Sequence, residues 1–160
     1  MEPLSIIVKN SLGPRALTET ELVAWGMRIG ARVQPPLWIA LRGPLGAGKS
    51  ALARAVCRGA GVGGRIPSPS FTLVQEYDSP RGFRIHHVDL FRLRSGDDLG
   101  ALGWEELMRS SGLVLLEWPG RAGDQLPADR WELAIAYASR PTMRVVRVDR
   151  LGAAVELIEW

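Results

Sequence analysis

Apolar positions along the chain fall into two kinds of pattern. After Thr18, the residues Leu22, Trp25, Ile29 and Val33 recur at helical spacing. Thr18 with Glu21 three residues on forms a capping-box start for that helix, and Pro35-Pro36 ends it. Leu37–Leu41 is instead a compact apolar run, the mark of a buried strand, and it leads straight into Gly43. Lys49–Arg58 predicts a second helix, followed by a flexible glycine-rich stretch over Gly59–Gly64. Extended segments are expected at Leu4–Val8, as an edge strand, at Phe71–Tyr77, and at Phe83–Val88 ending on Asp89. A turn around Ser79–Gly82 joins the last two. Asp97–Arg109 predicts one or two short helices interrupted near Gly103. Leu113–Leu116 is another buried strand, ending on Glu117. Trp131–Tyr137 and Met143–Val148 form a closing pair, and Ala153–Trp160 suits either helix or strand.

The loop between the first buried strand and the second helix carries the chemistry. Gly43-Pro44-Leu45-Gly46-Ala47-Gly48-Lys49-Ser50 fits G-x-x-x-x-G-K-[ST], the phosphate-binding loop, in the strand–loop–helix setting that pattern requires. Glycines let backbone wrap closely around phosphates. The amides from Gly46 to Ser50 are expected to face an anion at a helix N-terminus, and Ala51 is counted with them among the nucleotide-binding residues. Lys49 suits the β- and γ-phosphates, and the Ser50 hydroxyl suits Mg²⁺. Such a site needs a carboxylate to complete the metal shell. Asp89 and Glu117 both follow apolar runs, which is the Walker B layout, and both stand at strand carboxyl ends where open α/β sheets bind ligands. Asn10 is the only asparagine, so the Asn-Lys-x-Asp reader of guanine is absent and ATP is the expected nucleotide. The predicted fold is α/β and P-loop NTPase-like: a mixed, mostly parallel sheet flanked by helices, with an antiparallel portion. No repeat or linker divides the chain, so residues 1–160 are expected to form one P-loop ATPase domain.

Composition narrows the picture slightly. A net charge of +3 over 160 residues, nearly all of it from arginine, permits an acidic partner or nucleic acid without pointing to either. Cys57 is the single cysteine, which excludes an internal disulfide or a Cys-based zinc site and suits a small core residue. No basic head precedes an apolar run at the start, and no run is long enough to span a membrane, so a cytoplasmic protein is expected.

Four segments, in order, resemble the TsaE (formerly YjeE) family of small P-loop ATPases in bacterial tRNA threonylcarbamoyladenosine biosynthesis. They are the phosphate loop, Ser68-Pro69-Ser70-Phe71-Thr72-Leu73-Val74 with Glu76-Tyr77, His87-Val88-Asp89-Leu90-Phe91-Arg92, and Leu115-Leu116-Glu117-Trp118-Pro119. Pro44, Ser50, Phe91 and Gly120 stand where the family usually has Asp, Thr, Tyr and Glu. The resemblance implies that Ser68–Thr72 is a switch, with Thr72 sensing the γ-phosphate. It implies that Asp89 and Glu117 share Mg²⁺ coordination and orientation of the attacking water. Trp118 is the implied packing surface for the nucleotide base or for a partner. The implied partner is a TsaB–TsaD heterodimer, with tRNA reached only through that complex and ATP spent on resetting it. The competing reading is a small-molecule or nucleotide kinase, in which Arg54, Arg58, Arg92 and Arg94 clamp phosphates. A nucleotide-dependent binding module with negligible turnover is a third, which the Asp89/Glu117 pair disfavours.

Overall fold

The capping box forms as its spacing predicts. The Thr18 hydroxyl accepts the Glu21 N–H at 3.2 Å, and the Glu21 carboxylate accepts the Thr18 N–H at 3.0 Å. Helix α1 then runs Glu19–Arg32, burying Leu22, Trp25 and Ile29. The structure, a computed structural model, describes residues 7–69, 73–94 and 96–160. Helix α2, Lys49–Gly59, lies against α1. Gly30 permits the approach, since a Cβ there would fall 1.9 Å from the Val56 carbonyl oxygen. Cys57 is buried on α2, and burial pushes its thiol up to about 12, in keeping with a packing residue.

The described strands are β1 Val8–Thr18, β2 Leu37–Arg42, β3 Val74–Ser79, β4 Phe83–Asp89, β5 Leu113–Glu117, β6 Arg130–Tyr137 and β7 Met143–Leu151. They form one sheet in the order β1-β7-β6-β2-β5-β4-β3. The central ladders β6–β2, β2–β5 and β5–β4 are parallel. The ladders β1–β7 and β6–β7 at one side and β3–β4 at the other are antiparallel. All strands except β7 and β3 therefore point the same way, and the α/β architecture is the expected one.

Alternate residues of the central strands feed two cores. Ile39, Leu41, Ile85, Leu113 and Leu115 pack under α1 and α2. Trp38, Val88, Val114 and Leu116 pack on the other face, under helix α3 (Trp104–Met108) and the 3-10 segments Gly96–Leu102 and Pro119–Gln125. This two-sided burial explains why β2 and β5 read as unbroken apolar runs. None of the described helices is long and apolar enough to cross a membrane.

Several local expectations change. Residues 4–6 of the expected Leu4–Val8 run lie outside the described residues, and the described edge strand is Val8–Thr18. Its polar sequence and Gly13-Pro14 hide a strand that pairing with β7 imposes, with register shifts between Val8 and Asn10 and between Leu12 and Arg15. The tail after Leu151 is neither helix nor strand over 153–160. The Trp131 and Trp25 indole N–H groups each donate at 2.8 Å to its carbonyls, on Val155 and Ile158, and so satisfy backbone without a ladder. The stretch after α2 is tied back rather than loose. Arg58 donates to the Val62 and Gly64 carbonyls, and Ser79 Oγ donates to that of Ala60. The extended segment expected from Phe71 is a strand from Val74, and residues 70–72 lie outside the described residues.

Candidate functional site

Strand register brings the two acids beside the phosphate loop. Leu41 at the end of β2 stands opposite Glu117 on β5, and Glu117 stands opposite Asp89 on β4. The loop that leaves β2 therefore opens over the carboxyl ends of β5 and β4, where ligands of such sheets bind. Gly48 caps α2 with φ +113°, a conformation L side chains rarely adopt, and supplies no side-chain acceptor to the first turn. That turn holds no acidic residue. Its amides and the positive end of the helix thus face the loop, which is the arrangement that attracts phosphate.

A cavity of about 440 Å³ collects the parts. Gly46, Gly48, Lys49, Ser50, Ala51, Asp89, Glu117 and Trp118 all line it. Ala47 is buried in the loop, and its N–H donates to the Pro44 carbonyl at 3.1 Å. Thr72 lies outside the described residues. Of the arginines considered as phosphate clamps, Arg54 and Arg92 line the cavity, whereas Arg58 holds the carbonyls after α2.

The charged groups are held by one another. Lys49, 4% exposed, donates to the Gly43 and Pro44 carbonyls at 2.7 and 2.9 Å, with its ammonium 4.2 Å from the Trp118 ring centroid. Burial lowers the Lys49 pKa, and the Glu117 and Asp89 charges oppose that. Asp89, 6% exposed, accepts the Phe91 N–H at 2.9 Å. Burial raises its pKa; the Phe91 hydrogen bond works against that, and Glu117 adds to it. Glu117, 2% exposed, uses both oxygens. Ser50 Oγ donates to one at 2.7 Å, and His87 Nε2 lies 2.7 Å from the other. Trp118 follows at φ +58°, packed on Phe91 at 5.0 Å.

The chain has the donor set for a hard divalent cation. Mg²⁺ takes one or two carboxylates plus phosphate and water oxygens rather than an all-protein cage. The Ser50 hydroxyl, already on Glu117, and the neighbouring Asp89 offer that set beside the glycine-rich loop, and Lys49 lines the same cavity. Among the described residues no group of three or more His, Cys, Asp and Glu makes a self-sufficient metal cage. Sequence reading assigned no site role to His87, although the motif containing it was legible. The signal was a histidine two residues before an acid, at a position that shares that acid's strand face.

The family model for "Threonylcarbamoyl adenosine biosynthesis protein TsaE" matches residues 16–146. The chain belongs to the TsaE family. Relatives named "tRNA threonylcarbamoyladenosine biosynthesis protein TsaE" include one from Haemophilus influenzae, 36% identical over 91 residues, or 57% of this chain and 57% of that one. The chain thus aligns with a little over half of that relative's length. Another, from Bacillus subtilis, is 30% identical over 124 residues, covering 78% of this chain and 77% of the relative. The crystal structure of YdiB from Bacillus subtilis superposes with a TM-score of 0.74 at 27% identity, covering 91% of this chain and 88% of that one. TsaE membership and the P-loop architecture thus agree with the resemblance read from the four motifs.

Proposed function

We propose that this TsaE-family chain is one P-loop domain that binds and hydrolyses ATP with Mg²⁺ to serve tRNA threonylcarbamoyladenosine synthesis in the cytoplasm. The observation that carries the reading is the convergence of Lys49, Ser50, Asp89 and Glu117 on one cavity at the uncapped start of α2. Gly46–Ala51 would cradle the phosphates with backbone amides, and Lys49 would exchange two carbonyls for the β- and γ-phosphates. Ser50, Asp89 and Glu117 would hold Mg²⁺, with the two acids also orienting the attacking water. When bound, the metal would supply charge neutralisation for the nucleotide's phosphates. Thr72 would sense the γ-phosphate, and Trp118 would pack on the base or on a partner.

The partner in this reading is a TsaB–TsaD heterodimer, and tRNA is met only through it. ATP hydrolysis would then perform conformational work on that complex between turnovers. The test is inorganic phosphate release, measured with and without TsaB–TsaD, together with co-purification in the presence and absence of ATP. Release stimulated by the heterodimer and nucleotide-dependent co-purification are expected. A phosphorylated small-molecule acceptor in place of free phosphate would make the chain a kinase and overturn the reading.

A further inference from the structure

We propose that His87 is a positioning residue: it pins the Glu117 carboxylate in the orientation that serves the cation, so that Ser50, Glu117 and His87 act as one unit. The inference rests on the nucleotide reading above.

Strand geometry places the group. Ile85, His87 and Asp89 share one face of β4, the face under α1 and α2. His87 stands opposite Leu115, and Asp89 stands opposite Glu117, so the imidazole lies one pleat behind the acid row. From there Nε2 reaches forward to Glu117 Oε2 at 2.7 Å, with the ring fully buried. An ionised carboxylate only accepts, so His87 Nε2–H and Ser50 Oγ–H both donate to Glu117, one to each oxygen. Donors on both oxygens fix the rotation of the carboxylate as well as its place.

The rest of the ring argues that this bond is why histidine is there. Nδ1 is buried and has no hydrogen-bond partner among the described residues. A residue that only filled this layer, between Ile85 and Leu115, would be better as an apolar side chain, since an unbonded buried polar atom is costly. The neighbouring His86 has a different setting, with Nε2 3.1 Å from Ser110 Oγ. A cation would take a lone pair of the Ser50 oxygen and leave its O–H on Glu117, so Ser50 and His87 would go on holding the carboxylate from both sides. Asp89 has its own separate anchor in the Phe91 N–H. Groups that orient a metal's carboxylate typically carry about 10–100-fold of metal affinity.

Two measurements test this without relying on turnover. The chain has only two histidines, so long-range proton–nitrogen NMR of the metal-free protein, assigned with H86Q, reads the His87 ring directly. A proton on Nε2 is expected, and a proton on Nδ1 overturns the proposal. The second is calorimetry of ADP binding over a Mg²⁺ series for the parent, H87A, H87Q and H87N. Gln sets an amide N–H near the Nε2 position, and Asn sets one near Nδ1. H87A should bind ADP as the parent does without Mg²⁺ but need about 10–100-fold more Mg²⁺ to gain the metal-dependent part. H87Q should recover most of that, and H87N little. A parental Mg²⁺ requirement in H87A returns His87 to the core and leaves the ATPase reading intact. If H87A does not fold, an equal Mg²⁺ requirement in H87Q and H87N overturns the proposal. No Mg²⁺ effect on ADP binding in the parent overturns the ATPase reading and this inference together.

Discussion

Helices α1 and α2 begin in opposite ways. At α1 the chain closes its own end: Thr18 and Glu21 exchange hydrogen bonds, and Glu19 and Glu21 put two acids into the first turn. At α2 the cap is Gly48, no side chain accepts from the first turn, and the first residue is Lys49. Both ends carry the same unsatisfied amides and the same positive partial charge. One is satisfied from within and adds stability to the fold. The other is left open, and under the proposed function an external phosphate would satisfy it. The helices pack on each other, so the contrast is local and chemical rather than a difference in burial or fold.

The largest expected effect removes the cation from the open end. Lys49→Ala should weaken ATP binding by roughly 1.5–3 kcal/mol, the value of a charge-assisted contact, or about 10–150-fold in Kd. Melting should change little, because burial already opposes the charged form of Lys49. Calorimetry with unchanged nucleotide affinity would mean that this end of α2 is no phosphate site.

The closed end should respond in the other observable. Thr18→Ala loses the side-chain acceptor for Glu21 N–H and should cost about 1 kcal/mol of stability. In a chain of this size that lowers Tm by about 2–4 °C. Nucleotide affinity should stay at the parental value. A thermal scan with no shift would show that α1 does not depend on its cap, and a fall in ATP affinity would show that the two ends are coupled.

The contrast between these two helix starts is written in the sequence, because caps and phosphate loops are local patterns. Thr18 with Glu21, and Gly48 with Lys49-Ser50, each sit within a few residues. The central strands are equally legible, since burial on both faces makes Leu37–Leu41 and Leu113–Leu116 continuous apolar runs. What is not local is not legible. Strand β1 owes its length to β7, not to its own polar sequence. The tail is ordered by indole N–H groups from Trp25 and Trp131, more than a hundred and more than twenty residues away respectively. At the site, an acid closing an extended segment marks Asp89 and Glu117, and for Glu117 that segment is wholly apolar. The tie from His87 to Glu117 depends on the relative register of β4 and β5, which no periodicity in either strand specifies.

The smallest expected effect is also the sharpest, because its two readouts move in opposite directions. Ala51 is the third residue of α2, the position that Glu21 holds in α1. Its side chain borders the cavity and has room to grow. Ala51→Glu therefore gives α2 the acid that α1 has. A carboxylate in the first turn interacts favourably with the helix dipole by about 0.3–1 kcal/mol, so the nucleotide-free protein should melt slightly higher. The same charge occupies the field that would otherwise draw phosphate, so ATP affinity should fall by a comparable amount, and more at low salt than at high salt. Stability and affinity rising or falling together would show that the start of α2 is set by packing against α1. Stability rising while affinity falls would show that one set of amides serves either an internal acid or an external anion, and that in this chain the choice between them is made by Gly48 and Ala51.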